Sequence, residues 1–196
     1  TTTATVSASL SVAVAGVASG QLVNGATTDT ATTQGDAVPF ADLTVNLEDI
    51  AAHGITVSTN AAEGYTTTIR QINGTLYTDI LASSTNNIDG FNETPNNAPV
   101  AWAVGTNPDG VAANNESGWY GYTTNDSSLG TGTTDRFTSA GGDKWAAFHT
   151  TAAEIAYSSA AVDTQITRVG HKIEVNSLQP QGSYTGVVEY IITAIF

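Results

Sequence analysis

From Val6 to Val14 the apolar side chains fall on even positions (Val6, Ala8, Leu10, Val12 and Val14), and Ser7, Ser9 and Ser11 fall between them. A period of two predicts a β-strand with one apolar face and one hydroxyl-bearing face. Over residues 5–15, at about 3.3 Å per residue, it would reach roughly 36 Å, about twice an ordinary strand. Such a strand needs a partner, either in its own domain or in a neighbouring subunit. The alternation leaves both open.

The same period recurs along the chain. Residues 21–23 predict a short strand closed by an Asn24-Gly25 turn, and residues 26–36 a Thr-rich loop. Positions Val38, Phe40, Leu43, Val45 and Leu47 predict a strand over 38–47, irregular at Ala41-Asp42. Residues 49–54 read as a turn before a strand at 55–58. Residues 65–72 and 75–81 flank Asn73-Gly74, the pair that best adopts the positive φ angles of a type I′ turn. They predict a hairpin with Arg70 and Asp79 as diagonal neighbours on its outer face.

Shorter strands are predicted over 99–104, 118–122 and 144–149, and a single helical turn within 152–161. Two long strands are predicted at 162–175 and 184–196. In the second, Tyr184, Val188, Tyr190, Ile192, Ala194 and Phe196 share one face, and Val187, Ile191 and Ile195 the other. Apolar residues on both faces predict a central strand, or one covered on each side. No segment sustains an i, i+3, i+4, i+7 apolar pattern. The fold class is therefore all-β: an antiparallel β-sandwich, Ig-like or jelly-roll-like, with long polar loops at 83–98 and 106–115 and an N-terminal extended strand. Residues 1–19 form that strand and residues 20–196 a single sandwich domain.

Charge narrows the partners. Eighteen acidic residues face five basic ones, for a formal charge of −13 over 196 residues. Phosphate backbones and anionic membrane surfaces would be repelled, so neither nucleic acid nor membrane insertion is expected. Charged residues are only 12% of the chain, and Thr, Ser, Asn and Gly supply the remaining polarity. With no cysteine there is no disulfide and no thiolate site. The sequence does not open on Met, which is read as removal of a signal peptide. An extracellular or cell-surface location is the expectation.

Candidate chemistry is sparse. His53, His149 and His171 are far apart in sequence with no metal-ligand spacing, and read as polar loop or strand-edge residues. No Gly-x-Ser-x-Gly elbow occurs. No catalytic residue and no cofactor are assigned, and the chain is not read as an enzyme. Asp89, Asn92 and Asp109 place oxygen donors on polar loops, a weak candidate set for calcium. Trp119, Tyr120 and Tyr122 gather rings that could stack on surface glycans. Asn73, Asn92, Asn115 and Asn125 each begin an Asn-x-Ser/Thr sequon. Asn92, Asn115 and Asn125 are the candidate glycosylation sites, since Asn73 sits in the predicted tight turn.

Two segments, ITVSTNAAEGYTTTI at 55–69 and LQPQGSYTGVVEY at 178–190, resemble secreted β-sandwich proteins of bacterial cell surfaces. The second is similar to the closing strand of pilin-like and WxL-like surface domains. The resemblance implies a secreted sandwich that assembles or adheres. Together with the first strand it suggests a filament subunit polymerising with its own copies. Val6, Ala8, Leu10, Val12 and Val14 would then be donated to a neighbour. The alternative is a secreted carbohydrate-binding or adhesive module using Trp119, Tyr120 and Tyr122.

Overall fold

A computed structural model describes residues 5–31, 34–72, 76–78, 87–91, 99–103, 117–130, 136–138 and 143–196. In chain order the strands are β1 (Leu10–Gly16), β2 (Leu22–Val23), β3 (Ala26–Thr27), β4 (Asp49–Thr59), β5 (Tyr65–Gln71), β6 (Leu76–Thr78) and β7 (Asn87–Gly90). They continue with β8 (Val100–Ala101), β9 (Gly118–Thr124), β10 (Lys144–Ala147), β11 (Ala153–Ser158), β12 (Val162–Val175), β13 (Tyr184–Thr185) and β14 (Val188–Ala194). No helix occurs among the described residues.

One sheet runs β1-β4-β12-β9-β7-β6-β13, with β10 on β9 and β8 on β10. A second runs β11-β5-β14, and β2 with β3 forms a separate hairpin. Every pairing is antiparallel except β7 with β9. The fold is an all-β sandwich.

Alternation explains the packing of the two sheets. In β5, Tyr65, Thr67, Ile69 and Gln71 are buried while Thr66, Thr68 and Arg70 are half-buried. Their inward side meets Ile55, Val57, Val169, Ile173, Tyr120 and Tyr122 of the larger sheet in the main core. Burying a side chain of the size of Ile155 or Val169 contributes roughly 1.5–3 kcal/mol. The other face of the larger sheet is covered too. There Ile50, Phe91, Trp119 and Trp145 form a second cluster with Trp102 against it. This two-sided cover is why the C-terminal half of β12 is buried at every position from Val169 to Val175.

Several expectations hold. The strand at 162–175 runs over those residues, and Asn24-Gly25 turns β2 into β3 with φ of 49° and 89°. Others are corrected. Residues 49–54 are not a turn but the first half of β4, which the buried Ile50, Ala51 and Ala52 hold in the sheet. Residues 153–158 form a strand rather than a helical turn, because β5 offers a ladder edge there. The 65–81 hairpin does not form: β5 pairs with β11 and β14, and β6 with β7 and β13. Arg70 lies opposite Glu189 instead, with Nε donating to its carboxylate at 2.5 Å. The Asn73-Gly74 turn itself lies outside the described residues.

Two further corrections bear on function. Residues 38–47 are not a strand; Phe40 and Leu43 pack on the core without a ladder partner, and Val45 and Leu47 are exposed. The last strand is not central. Among the described residues β14 pairs with β5 alone, and Val187, Ile191 and Ile195 on its outer face are exposed. The long loops at 83–98 and 106–115 fall mostly outside the described residues.

Candidate functional site

β1 lies at the edge of the larger sheet, antiparallel to β4, in register from Leu10 opposite Thr59 to Gly16 opposite His53. In the single chain the strand therefore pairs within its own domain. Val12 and Val14 share a face with Val57 and Ile55 opposite them, the face turned to the main core. Only Val14 packs there; Leu10 and Val12 remain 42% and 40% exposed. Ahead of the ladder, Asn60 holds the chain through Ser9 N–H and the Ser7 carbonyl, and Val6 is 83% exposed.

The open side of the sandwich contains a cleft of about 1080 Å³. One wall is residues 35–43, a strap that touches the core through Phe40 and Leu43. The other is residues 179–188 with Tyr190, which includes the start of β14. The floor belongs to the larger sheet and includes His53, Tyr120, His171 and Ile173. Asp36 and Asp42 line the cleft and no Lys or Arg does. Anionic ligands are therefore disfavoured there.

His53 and His171 meet on this floor, with ring centroids 5.6 Å apart. Sequence reading placed them on loops or strand edges, yet both lie on the inward face of neighbouring strands. The signal was their parity: His53 precedes Ile55 and Val57 at the same period, and His171 falls between Val169 and Ile173. The polar contacts define one chain of donors. The Ala37 carbonyl can only accept, so His53 Nε2–H donates to it at 3.1 Å. In neutral His53, Nδ1 then accepts from the Tyr190 hydroxyl at 3.2 Å. Tyr190 in turn accepts from His171 Nε2–H at 2.9 Å. His171 Nδ1 is left to accept from the Tyr120 hydroxyl, also at 2.9 Å.

Both rings are thus satisfied without a charge, as their surroundings require. Burial, and secondarily His53, push the His171 pKa down to about 3. Burial lowers His53 too, against the carbonyls of Ala37 and Gln34 and the charge of Asp36. Burial raises the phenols of Tyr120 and Tyr190. A charge-free chain of this kind staples β14 to β4, β12 and β9. His149 is exposed and apart from the pair.

The remaining candidates separate. Trp119, Tyr120 and Tyr122 are buried, the first on the outer cluster and the other two in the main core. Trp119 and Tyr122 are shut off from solvent and Tyr120 reaches only the cleft floor, so the three do not form the exposed ring platform expected for glycan stacking. Asn125 is exposed, and its side-chain oxygen accepts from the Arg168 N–H at 2.8 Å. Asn92, Asn115 and Asp109 lie outside the described residues, as does the side chain of Asp89. Among the described residues no group of three His, Asp or Glu side chains is placed to hold a metal ion. Nor is any helix there long and apolar enough to cross a membrane.

Comparison with family models, with curated proteins and with solved structures finds no match to this chain.

Proposed function

We propose that this chain is the structural subunit of an extracellular, pilus-like filament, polymerising head to tail by β-strand addition of its N-terminal strand. The observation that carries the reading is the exposure of Val6, Leu10 and Val12, the apolar face of a strand that, among the described residues, has a ladder partner on one edge. In strand addition, backbone hydrogen bonds give adhesion and alternate side chains fill pockets, so this face would be buried in the neighbour. Such a contact is heterologous and extends rather than closes. It also removes an exposed edge that is otherwise an aggregation hazard. Charge agrees: the first acidic residue is Asp29, so residues 1–20 are uncharged and approach an acidic body without repulsion.

The test is the double variant Val6→Asp, Val12→Asp. Val6 is exposed, so substitution there costs within about 0.5 kcal/mol, and Val12, part-exposed within β1, loses about 1 kcal/mol of strand preference. The expected result is a folded monomer by circular dichroism, with fibres seen by negative-stain microscopy only for the unsubstituted protein. Fibres from the variant, or monodisperse particles from the unsubstituted chain, would overturn the reading.

A further inference from the structure

We infer that the acceptor for a neighbouring copy's N-terminal strand is the unpaired edge of β14 where it borders the cleft. The inference rests on the filament reading and specifies its partner surface. The β5–β14 ladder fixes which backbone groups of β14 are engaged. Ile72 N–H donates to the Val187 carbonyl, and Ile195 N–H donates to the Gly64 carbonyl. In an antiparallel ladder the bonded residues alternate, so Val187, Glu189, Ile191, Thr193 and Ile195 spend their backbone groups on β5. The N–H and C=O of Val188, Tyr190, Ile192 and Ala194 point the other way. Among the described residues no strand pairs with that edge.

An unpaired edge invites a strand, and here the space beside it has the right character. Val188 and Tyr190 form part of one wall, the strap at 35–43 the opposite wall, and core residues such as Ile173 the floor. A strand laid along β14 would turn its apolar side chains onto that floor. The lining carries Asp36 and Asp42 and no basic residue, which suits the uncharged residues 5–14 and repels an acidic segment.

Energetics separate this edge from the other candidate. Exchange of β1 onto the β4 edge of a neighbour would remake the ladder already present in the single chain, from Leu10–Thr59 to Gly16–His53, and add nothing to it. Addition to β14 makes hydrogen bonds that the single chain lacks, and residues 5–9, which lie ahead of the β1–β4 ladder, make them without breaking it. It also covers Val6, which the single chain leaves exposed.

Val188→Pro tests the edge directly. A proline there removes an N–H aimed at the edge and keeps those donated to β5, a place where strands tolerate proline. The expected variant folds, keeps a cooperative melt and makes no fibres. A second measurement covers a variant that fails to fold. The chain has no cysteine, so a copy carrying Val6→Cys, Ala8→Cys or Leu10→Cys is assembled with a copy carrying Val188→Cys. Laterally paired strands bring Cβ atoms to about 4.5–5.5 Å, near disulfide reach, so one of the three pairs is expected to cross-link in fibres. Fibres in which Leu10→Cys links instead to Thr59→Cys of another copy's β4, or a folded Val188→Pro that polymerises normally, would overturn this acceptor while leaving the filament standing. No fibres from the unsubstituted chain would remove both.

Discussion

The Tyr190 hydroxyl accepts from His171 Nε2–H at 2.9 Å, joining the edge strand β14 to the middle of the opposite sheet. The same hydroxyl donates to His53, so Tyr190→Phe leaves a buried N–H and a buried ring nitrogen without partners. An orphaned buried polar group costs about 1–3 kcal/mol. For a chain of this length each kcal/mol lowers the melting temperature by about 2–4 °C. Tyr190→Phe is therefore expected to melt several degrees lower with an unchanged far-UV spectrum. A melt that matches the unsubstituted protein would mean that the two sheets are held by apolar contact alone.

The same chain of groups gives stability a pH dependence. His171 titrates near 3 in the fold against 6.5 in the open chain, so the unfolded state binds the extra proton first. Its contribution is complete above pH 6.5 and is lost as pH falls toward 3. Asp49 acts in the opposite sense. Burial first, then the hydrogen bond and charge of Asp29, raise its pKa from 3.8 to about 6. The fold then holds that proton more tightly, and the stabilisation present in acid is lost as pH rises through 6. Calorimetry should find that Asp49→Asn stabilises the protein at pH 7 but hardly at pH 4. His171→Gln should flatten the decline below pH 6.5. An unchanged slope in His171→Gln would place the acid sensitivity elsewhere.

Strand periodicity made most of this architecture readable and left the pairing unreadable. The strand at 162–175 was visible because its alternation runs unbroken through Val169, His171, Ile173 and Val175. The partner of β5 was not, because Asn73-Gly74 is a strong local turn signal whereas β11 and β14 are distant in sequence. Residues 38–47 misled for a related reason. Alternation reports which side chains want cover, and Phe40 and Leu43 obtain it by packing on the core without a ladder. Apolar residues on both faces of β14 suggested a central strand. In the single chain they lie on an edge, which fits a surface that a neighbour covers.

Lys172 shows how little of the outer cluster was legible. Its ammonium is buried over the rings of Trp102 and Trp145, 5.0 Å and 5.1 Å from their centroids, and pairs with Glu48. The Glu48 side chain is half-exposed but the Lys172 ammonium it pairs with is buried, so Glu48→Gln is expected to cost about 1–3 kcal/mol. Lys172→Ala removes the stem as well and opens a void between two indoles. Its expected cost is about 2–5 kcal/mol by analogy with other large-to-alanine changes in cores. Equal effects of the two variants in urea melts would assign the stabilisation to the ion pair rather than to the aromatic packing.

Two glycines with similar backbone angles test what fixes the start of β5. Gly20 has φ of +80° and nothing within 4 Å of where a Cβ would stand. Gly64 has φ of +73°, and there a Cβ would collide with the Ser158 carbonyl at the end of β11. Its own carbonyl accepts from Ile195 N–H at 2.9 Å, just beyond β14. Gly20→Ala therefore meets only the left-handed penalty, about 1–2 kcal/mol. Gly64→Ala meets that penalty and must also move the backbone of β11 away from β5. The loss for Gly64→Ala is expected to exceed that for Gly20→Ala, with faster amide exchange at Ile195 in the first variant only. Equal losses would show that the end of β11 yields freely, so that Gly64 is required by its φ angle and not by the close approach of the two strands.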